Sequence, residues 1–192
     1  YFYMPGSDLY ENSKVITLPV GIGRLDWKTP LGETFIKTKV KNPTWYPPKS
    51  IILEYEQRGE SLPREVKSGP NNPLGDFALK LNVDGGYLLH GTNKKYGIGM
   101  MVSHGCVRLR NEDIKLIYYN SYIGTKVKII NTPIKLGVHK DNLYMEVHAF
   151  NNKEVYSNNI KNLLTTENIY KPITHVMNFS KKNPDFLINW KS

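Results

Sequence analysis

Hydrophobic positions along this chain fall in short runs rich in Val, Ile, Tyr and Phe, and clusters of Gly, Pro and Asn punctuate them. That texture predicts strands joined by turns, because β-branched and aromatic side chains suit a pleated, half-buried surface. Six strands are expected in the first 130 positions: Lys14 to Pro19, Glu33 to Val40, Ile51 to Tyr55, Phe77 to Leu81, Gly86 to His90 and Lys126 to Ile130. Trp45-Tyr46-Pro47-Pro48 is read as a loop with exposed aromatics, since two prolines would remove ladder donors from a central strand. One helix is signalled. Asn111 is its expected cap, Glu112 and Asp113 suit the positive end of its dipole, and Ile114, Ile117 and Tyr118 share a face. Gly124 is read as the stop.

After about Gly137 the chain becomes rich in Asn and Lys. A strand over Leu143 to His148 and a helix over Asn158 to Glu167 are expected there. So short a segment is marginal as a core of its own and is expected to pack on what precedes it. The 192 residues therefore suit one domain plus an appendage. The first residue is Tyr1, so upstream sequence is expected to be missing, and the lack of a signal peptide carries no information. No apolar run approaches a membrane span.

Lys and Arg number 26 against 17 acids, a net charge of +9. Such a balance favours anionic partners through long-range attraction. The basic residues are dispersed, with neither a zinc-finger spacing nor an aromatic RNP1-like block, so nucleic acid is not expected. A polymer bearing free carboxylates would be steered by the same field, and a merely solvated surface accounts for the lysines equally well.

The only cysteine, Cys106, sits in Ser103-His104-Gly105-Cys106-Val107-Arg108-Leu109. A lone cysteine is more often a small buried hydrophobe than a nucleophile. Here a glycine before it signals a tight turn, and an arginine two positions on would be a costly neighbour for an inert buried thiol. A thiol needs a base or cation to become a thiolate. His90, in Leu88-Leu89-His90-Gly91-Thr92, ends a strand-like run where a loop could present it to Cys106. Arg108 falls on the same side as Cys106 in an extended segment, whereas His104 would project to the opposite face. Arg108 could grip a carboxylate, lower the thiol pKa, or simply pair with Glu112 or Asp113.

His90-Gly91-Thr92 with Ser103-His104-Gly105-Cys106-Val107-Arg108-Leu109 resembles the catalytic signature of the YkuD-type L,D-transpeptidases. Thr29-Pro30-Leu31-Gly32, Asn42-Pro43-Thr44-Trp45-Tyr46-Pro47-Pro48 and Gly69-Pro70-Asn71-Asn72-Pro73-Leu74-Gly75 are similar to that family's upstream blocks, in its order. The likeness runs from about Tyr1 to Gly137 and is nearest the periplasmic branch of Gram-negative bacteria. It implies a mainly β domain of mixed sheets, sandwich- or barrel-like, over residues 1–137. One helix follows the cysteine, and 138–192 form a small α+β extension. It further implies peptidoglycan biosynthesis and cell-wall organisation in the envelope, no cofactor and no metal, and carbapenem acylation of the cysteine.

In this reading Cys106 attacks the diaminopimelate carbonyl of a stem tetrapeptide and expels D-alanine. An amine, from another stem or from an envelope protein, then resolves the thioester. His90 takes the thiol proton, with the Gly91 carbonyl orienting its ring. The N–H groups of Gly105 and Cys106 form the oxyanion hole. His104 is auxiliary, orienting the loop or helping to bind the carbonyl oxygen. Ser103 supports the turn and is grouped with Arg108 on the substrate side.

Three rivals stand beside it. Water as acceptor would make the site an L,D-carboxypeptidase, and loss of turnover would leave a wall-binding module. His90, His104 and Cys106 could also ligate zinc, although no H-E-x-x-H or paired C-x-x-C is present. Gly21-Ile22-Gly23 and Gly97-Ile98-Gly99 lack the continuation of a nucleotide loop. His139, His148 and His175 are too dispersed for a role.

Overall fold

Strands dominate the chain in this computed structural model, which describes residues 1–4, 14–94, 96–131, 134–139 and 142–147. The elements are β1 (Phe2–Tyr3), β2 (Val15–Ile16), β3 (Ile22–Gly23), β4 (Gly32–Lys41), α1 (Lys49–Gln57), β5 (Phe77–Leu81), β6 (Leu88–His90), β7 (Met101–Ser103), β8 (Val107–Arg108), α2 (Asn111–Tyr119), β9 (Lys126–Ile129), β10 (Ile134–His139) and β11 (Asn142–Val147). Contacts divide the chain into Tyr1–Ile129 and Ile130–Ser192. In the second unit the described part is the antiparallel hairpin β10–β11. Gly137, the expected boundary, lies within β10. The helix expected over 158–167 lies outside the described residues, as do His148 and His175.

The first unit is built on a five-stranded sheet in the order β8-β6-β5-β4-β9. Its pairings are antiparallel except β6 with β8, which run parallel in the register Leu89 to Val107 and His90 to Arg108. β3 pairs with β7, also parallel. The core lies between the sheet and α2, where Ile36, Phe77, Leu79, Leu109, Ile114 and Ile117 cluster. Burying aliphatic side chains of this size contributes about 1.5–3 kcal/mol each. Among the described residues no helix is long and apolar enough to cross a membrane.

Two expectations change. The apolar run Ile51 to Tyr55 lies in a helix, not a strand, so the domain has a helix before the cysteine as well as after it. Pro48 is extended at its start and its carbonyl accepts the N–H groups of Ile51 and Ile52, while Gly59, at φ 74°, ends it. Glu54, Glu56 and Gln57 also favour helix over strand. In α2 the cap position falls to Arg110, and Asn111 makes no cap bond. Its amide instead bridges to Thr92, accepting from the backbone N–H at 3.2 Å and donating to the carbonyl at 3.1 Å. The first turn of α2 thus holds the loop that follows β6.

Upstream loops are tied together by Asn72, which is fully buried. Its amide donates to the carbonyls of Pro43 at 2.7 Å, Val66 at 3.0 Å and Lys67 at 3.2 Å, and its oxygen accepts from the Leu74 N–H at 2.8 Å. With every polar atom satisfied, one side chain fixes three loop segments. In the loop expected to show exposed aromatics, Tyr46 is exposed, while Trp45 is half-buried and bridges to Val66.

Candidate active site

The parallel pairing of β6 and β8 brings together residues far apart in sequence. His90 lies directly opposite Arg108, and Cys106 precedes β8 by one residue. Side chains alternate along a strand, so the register puts His90 on one face with Arg108, two residues from Cys106. The Arg108 guanidinium acts electrostatically on both the imidazole and the thiol.

His90 is 4% exposed, and its Nδ1–H donates to the Gly91 carbonyl oxygen at 2.6 Å. A carbonyl only accepts, so Nδ1 carries the proton and Nε2 keeps its lone pair. Burial lowers the pKa of His90 to about 4, the Gly91 bond opposes that shift, and Arg108 adds to it. At neutral pH the ring is therefore an uncharged base. The Cys106 thiol is pushed up by burial, against the lowering effects of the Leu88 backbone bond and Arg108. The resting pair is thus thiol and neutral imidazole. The ring is hydrogen-bonded to the Gly91 carbonyl.

The turn before Cys106 is built around Gly105, whose φ of 101° suits glycine, and the Tyr87 ring packs where a Cβ would stand. Ser103 is 1% exposed. Its hydroxyl donates to the Cys106 carbonyl and accepts the Gly105 N–H at 3.1 Å. Ser103 is thus enclosed in the turn it was expected to support, and the Gly105 N–H, expected to face an oxyanion, is engaged by its hydroxyl.

His104 departs from its expected direction. Because Gly105 reverses the chain, the segment is not extended, and His104 lines the same pocket as Arg108. That pocket has a volume of about 200 Å³. Arg24, Arg58, Lys94 and Arg108 give it a cationic wall, and Glu54, Tyr55 and Tyr96 also line it. Arg108 makes no ion pair with Glu112 or Asp113 among the described residues, and its Nε is buried without a partner.

Sequence reasoning missed the brace behind the turn. Gly21 and Arg108 exchange backbone bonds at 2.8 Å in both directions, and the Arg24 N–H donates to the Ser103 carbonyl at 3.0 Å. A Cβ on Gly23 would clash with the Trp27 carbonyl oxygen and stand 2.9 Å from the Gly105 Cα. Gly21-Ile22-Gly23, set aside as a nucleotide loop, therefore lets one backbone lie against another. Spacing alone cannot signal this, because the partner residues are about 80 positions away.

Residues 7–129 match the family described as YkuD, L,D-transpeptidase catalytic domain. The probable L,D-transpeptidase YbiS of Escherichia coli (strain K12) is 44% identical over 150 residues, covering 77% of this chain and 47% of that protein. The probable L,D-transpeptidase YcfS of the same organism is 47% identical over 152 residues, covering 77% and 46%. The probable L,D-transpeptidase ErfK/SrfK of Salmonella typhimurium is 36% identical over 187 residues, covering 96% and 57%. The chain spans about half the length of the curated relatives it matches.

Proposed function

Because the chain belongs to the YkuD family of L,D-transpeptidase catalytic domains, we propose that it is a peptidoglycan L,D-transpeptidase of the bacterial envelope whose nucleophile is Cys106. The observation that carries this reading is the β6–β8 register, which sets His90, in its Nε2-accepting tautomer, opposite Arg108 and two residues from Cys106. His90 Nε2 takes the Cys106 proton as the sulfur attacks the carbonyl of the third stem residue. The C–N bond to the terminal D-alanine breaks, and His90 returns the proton to the leaving amine. The acceptor amine then attacks the thioester, the C–S bond breaks, and the amine's proton restores the thiol through His90. Gly91 orients the base, the Cys106 N–H faces the developing oxyanion, and His104 braces the turn.

Arg108 holds a carboxylate of the stem peptide. Its unpartnered Nε and the cationic wall of the adjoining pocket support that role. The catalytic work belongs to the first 137 residues, and residues 138–192 form an accessory extension. The amine acceptor is a second stem peptide or a lysine of an envelope protein, in the periplasm. Carbapenem acylation of the same sulfur follows from the same chemistry.

Incubation with a disaccharide-tetrapeptide, with and without an amine acceptor, tests the reading through product masses. Free D-alanine with a cross-linked dimer is the expected result. Tripeptide alone would assign the site to a carboxypeptidase, and an unchanged substrate would remove the enzyme reading.

A further inference from the structure

Helix α1 has none of its residues fully buried, so core packing does little to hold it. Glu54 sits near its C-terminal end with both carboxylate oxygens engaged. Oε1 accepts from Arg24 Nη1 at 3.2 Å and faces Arg58 Nη2 at 3.4 Å. Oε2 accepts from the second Arg24 nitrogen and from His104 Nε2, the latter at 2.6 Å. Arg58 caps the same helix, while Arg24 and His104 come from two other segments, 30 and 50 positions away. The Arg24 hydrogen bond, followed by that of His104, holds the Glu54 pKa down to about 2, so the carboxylate stays charged.

What Glu54 grips is the frame of the reactive turn. Arg24 is bound through its own N–H to the Ser103 carbonyl, and His104 is two residues from Cys106. The His104 ring also packs near Trp27, tilted by 60° with centroids 5.4 Å apart. An imidazole held by a carboxylate and an indole has one orientation, and holding it holds the chain reversal at Gly105. We propose that Glu54 is a positioning residue for the transpeptidation, acting through His104 and Arg24 to fix the Ser103-His104-Gly105-Cys106 turn. The proposal rests on the functional reading above. It adds a residue from a segment that carries no part of the Cys/His signature.

Displacing a reacting group by about 1 Å can cost on the order of 100-fold in rate. Glu54→Gln keeps the volume and removes the charge that two cations and an imidazole share. Its kcat for D-alanine release is expected to fall about 10- to 100-fold with KM unchanged, the pattern of a lost transition-state geometry. His104→Asn is expected to lose a similar factor, and the double variant no more than either single one, because both changes break one linkage. The ¹⁵N signal of the His104 ring, assigned by its absence in His104→Asn, is expected to shift in Glu54→Gln.

An unaltered kcat with an unmoved ring signal would overturn the proposal. So would a rise in KM alone, which would make Glu54 a substrate contact, or losses that add in the double variant. If Glu54→Gln does not fold, Glu54→Asp, with its shorter reach, is read by the same criteria. Should the wild-type protein release no D-alanine, the functional reading fails, and the ring signal alone decides whether Glu54 holds His104.

Discussion

At the scale of single residues, burial keeps the His90 imidazole uncharged at neutral pH. His90 is buried with a pKa of about 4, below the ordinary 6.5 that it regains when the chain unfolds. Between these values the unfolded chain binds a proton that the folded chain does not, so stability rises with pH across that window. The contribution is present in full above pH 6.5 and is lost as the pH falls toward 4. The difference corresponds to about 3 kcal/mol. Urea unfolding at pH 7 and at pH 4.5 is expected to show this loss, and His90→Asn is expected to lack most of it. An equal loss in the variant would place the titrating group elsewhere. Glu54, at about 2 when folded and 4.5 when unfolded, loses its contribution mainly below pH 4.5 and so adds little to this comparison.

That Cys106, His90 and Arg108 belong to one neighbourhood could be expected from residue types and short spacings, and the β6–β8 register puts His90 opposite Arg108, two residues from Cys106. The part of Ser103 was only half legible. Its place in the turn could be expected, but not that its hydroxyl would bind both the Gly105 N–H and the Cys106 carbonyl. Which atom a hydroxyl faces depends on the backbone around it. Glu54 gave no signal, since a carboxylate among polar residues looks like any solvated surface charge.

Among the elements, strands were well marked where a short apolar run lay between turn residues, as in β5, expected and observed over Phe77–Leu81 and buried at every position but Lys80. α1 was misread because Ile51, Ile52 and Tyr55 have strand propensity, while the helix is set by Pro48, the glutamates and Gly59. The pairs of β3 with β7 and β6 with β8 are only two or three residues long, too short to leave a pattern, yet they assemble the site. Gly23→Ala tests that role. The added methyl group would meet the Trp27 carbonyl oxygen and the Gly105 Cα, so β3 or the reactive turn must move. A cost of about 1–3 kcal/mol is expected, as for overpacking a closely packed site, together with a loss of kcat. Denaturant melts and turnover measure the two effects. Wild-type values for both would show that the brace is slack.

For the whole molecule, the family match spans residues 7–129, nearly the unit that the contacts delimit at Tyr1–Ile129. The surplus of positive charge, dispersed in sequence, includes four cations gathered around one pocket, which only the fold reveals. The account rests on a sulfur that carries the acyl group between donor and acceptor. Its most direct test is the intact mass of the protein quenched soon after mixing with a stem tetrapeptide and no amine acceptor. An adduct equal to the donor less D-alanine, located on Cys106 and absent from Cys106→Ala, is the predicted result. An unmodified protein that nevertheless releases D-alanine, or the same adduct on Cys106→Ala, would contradict it.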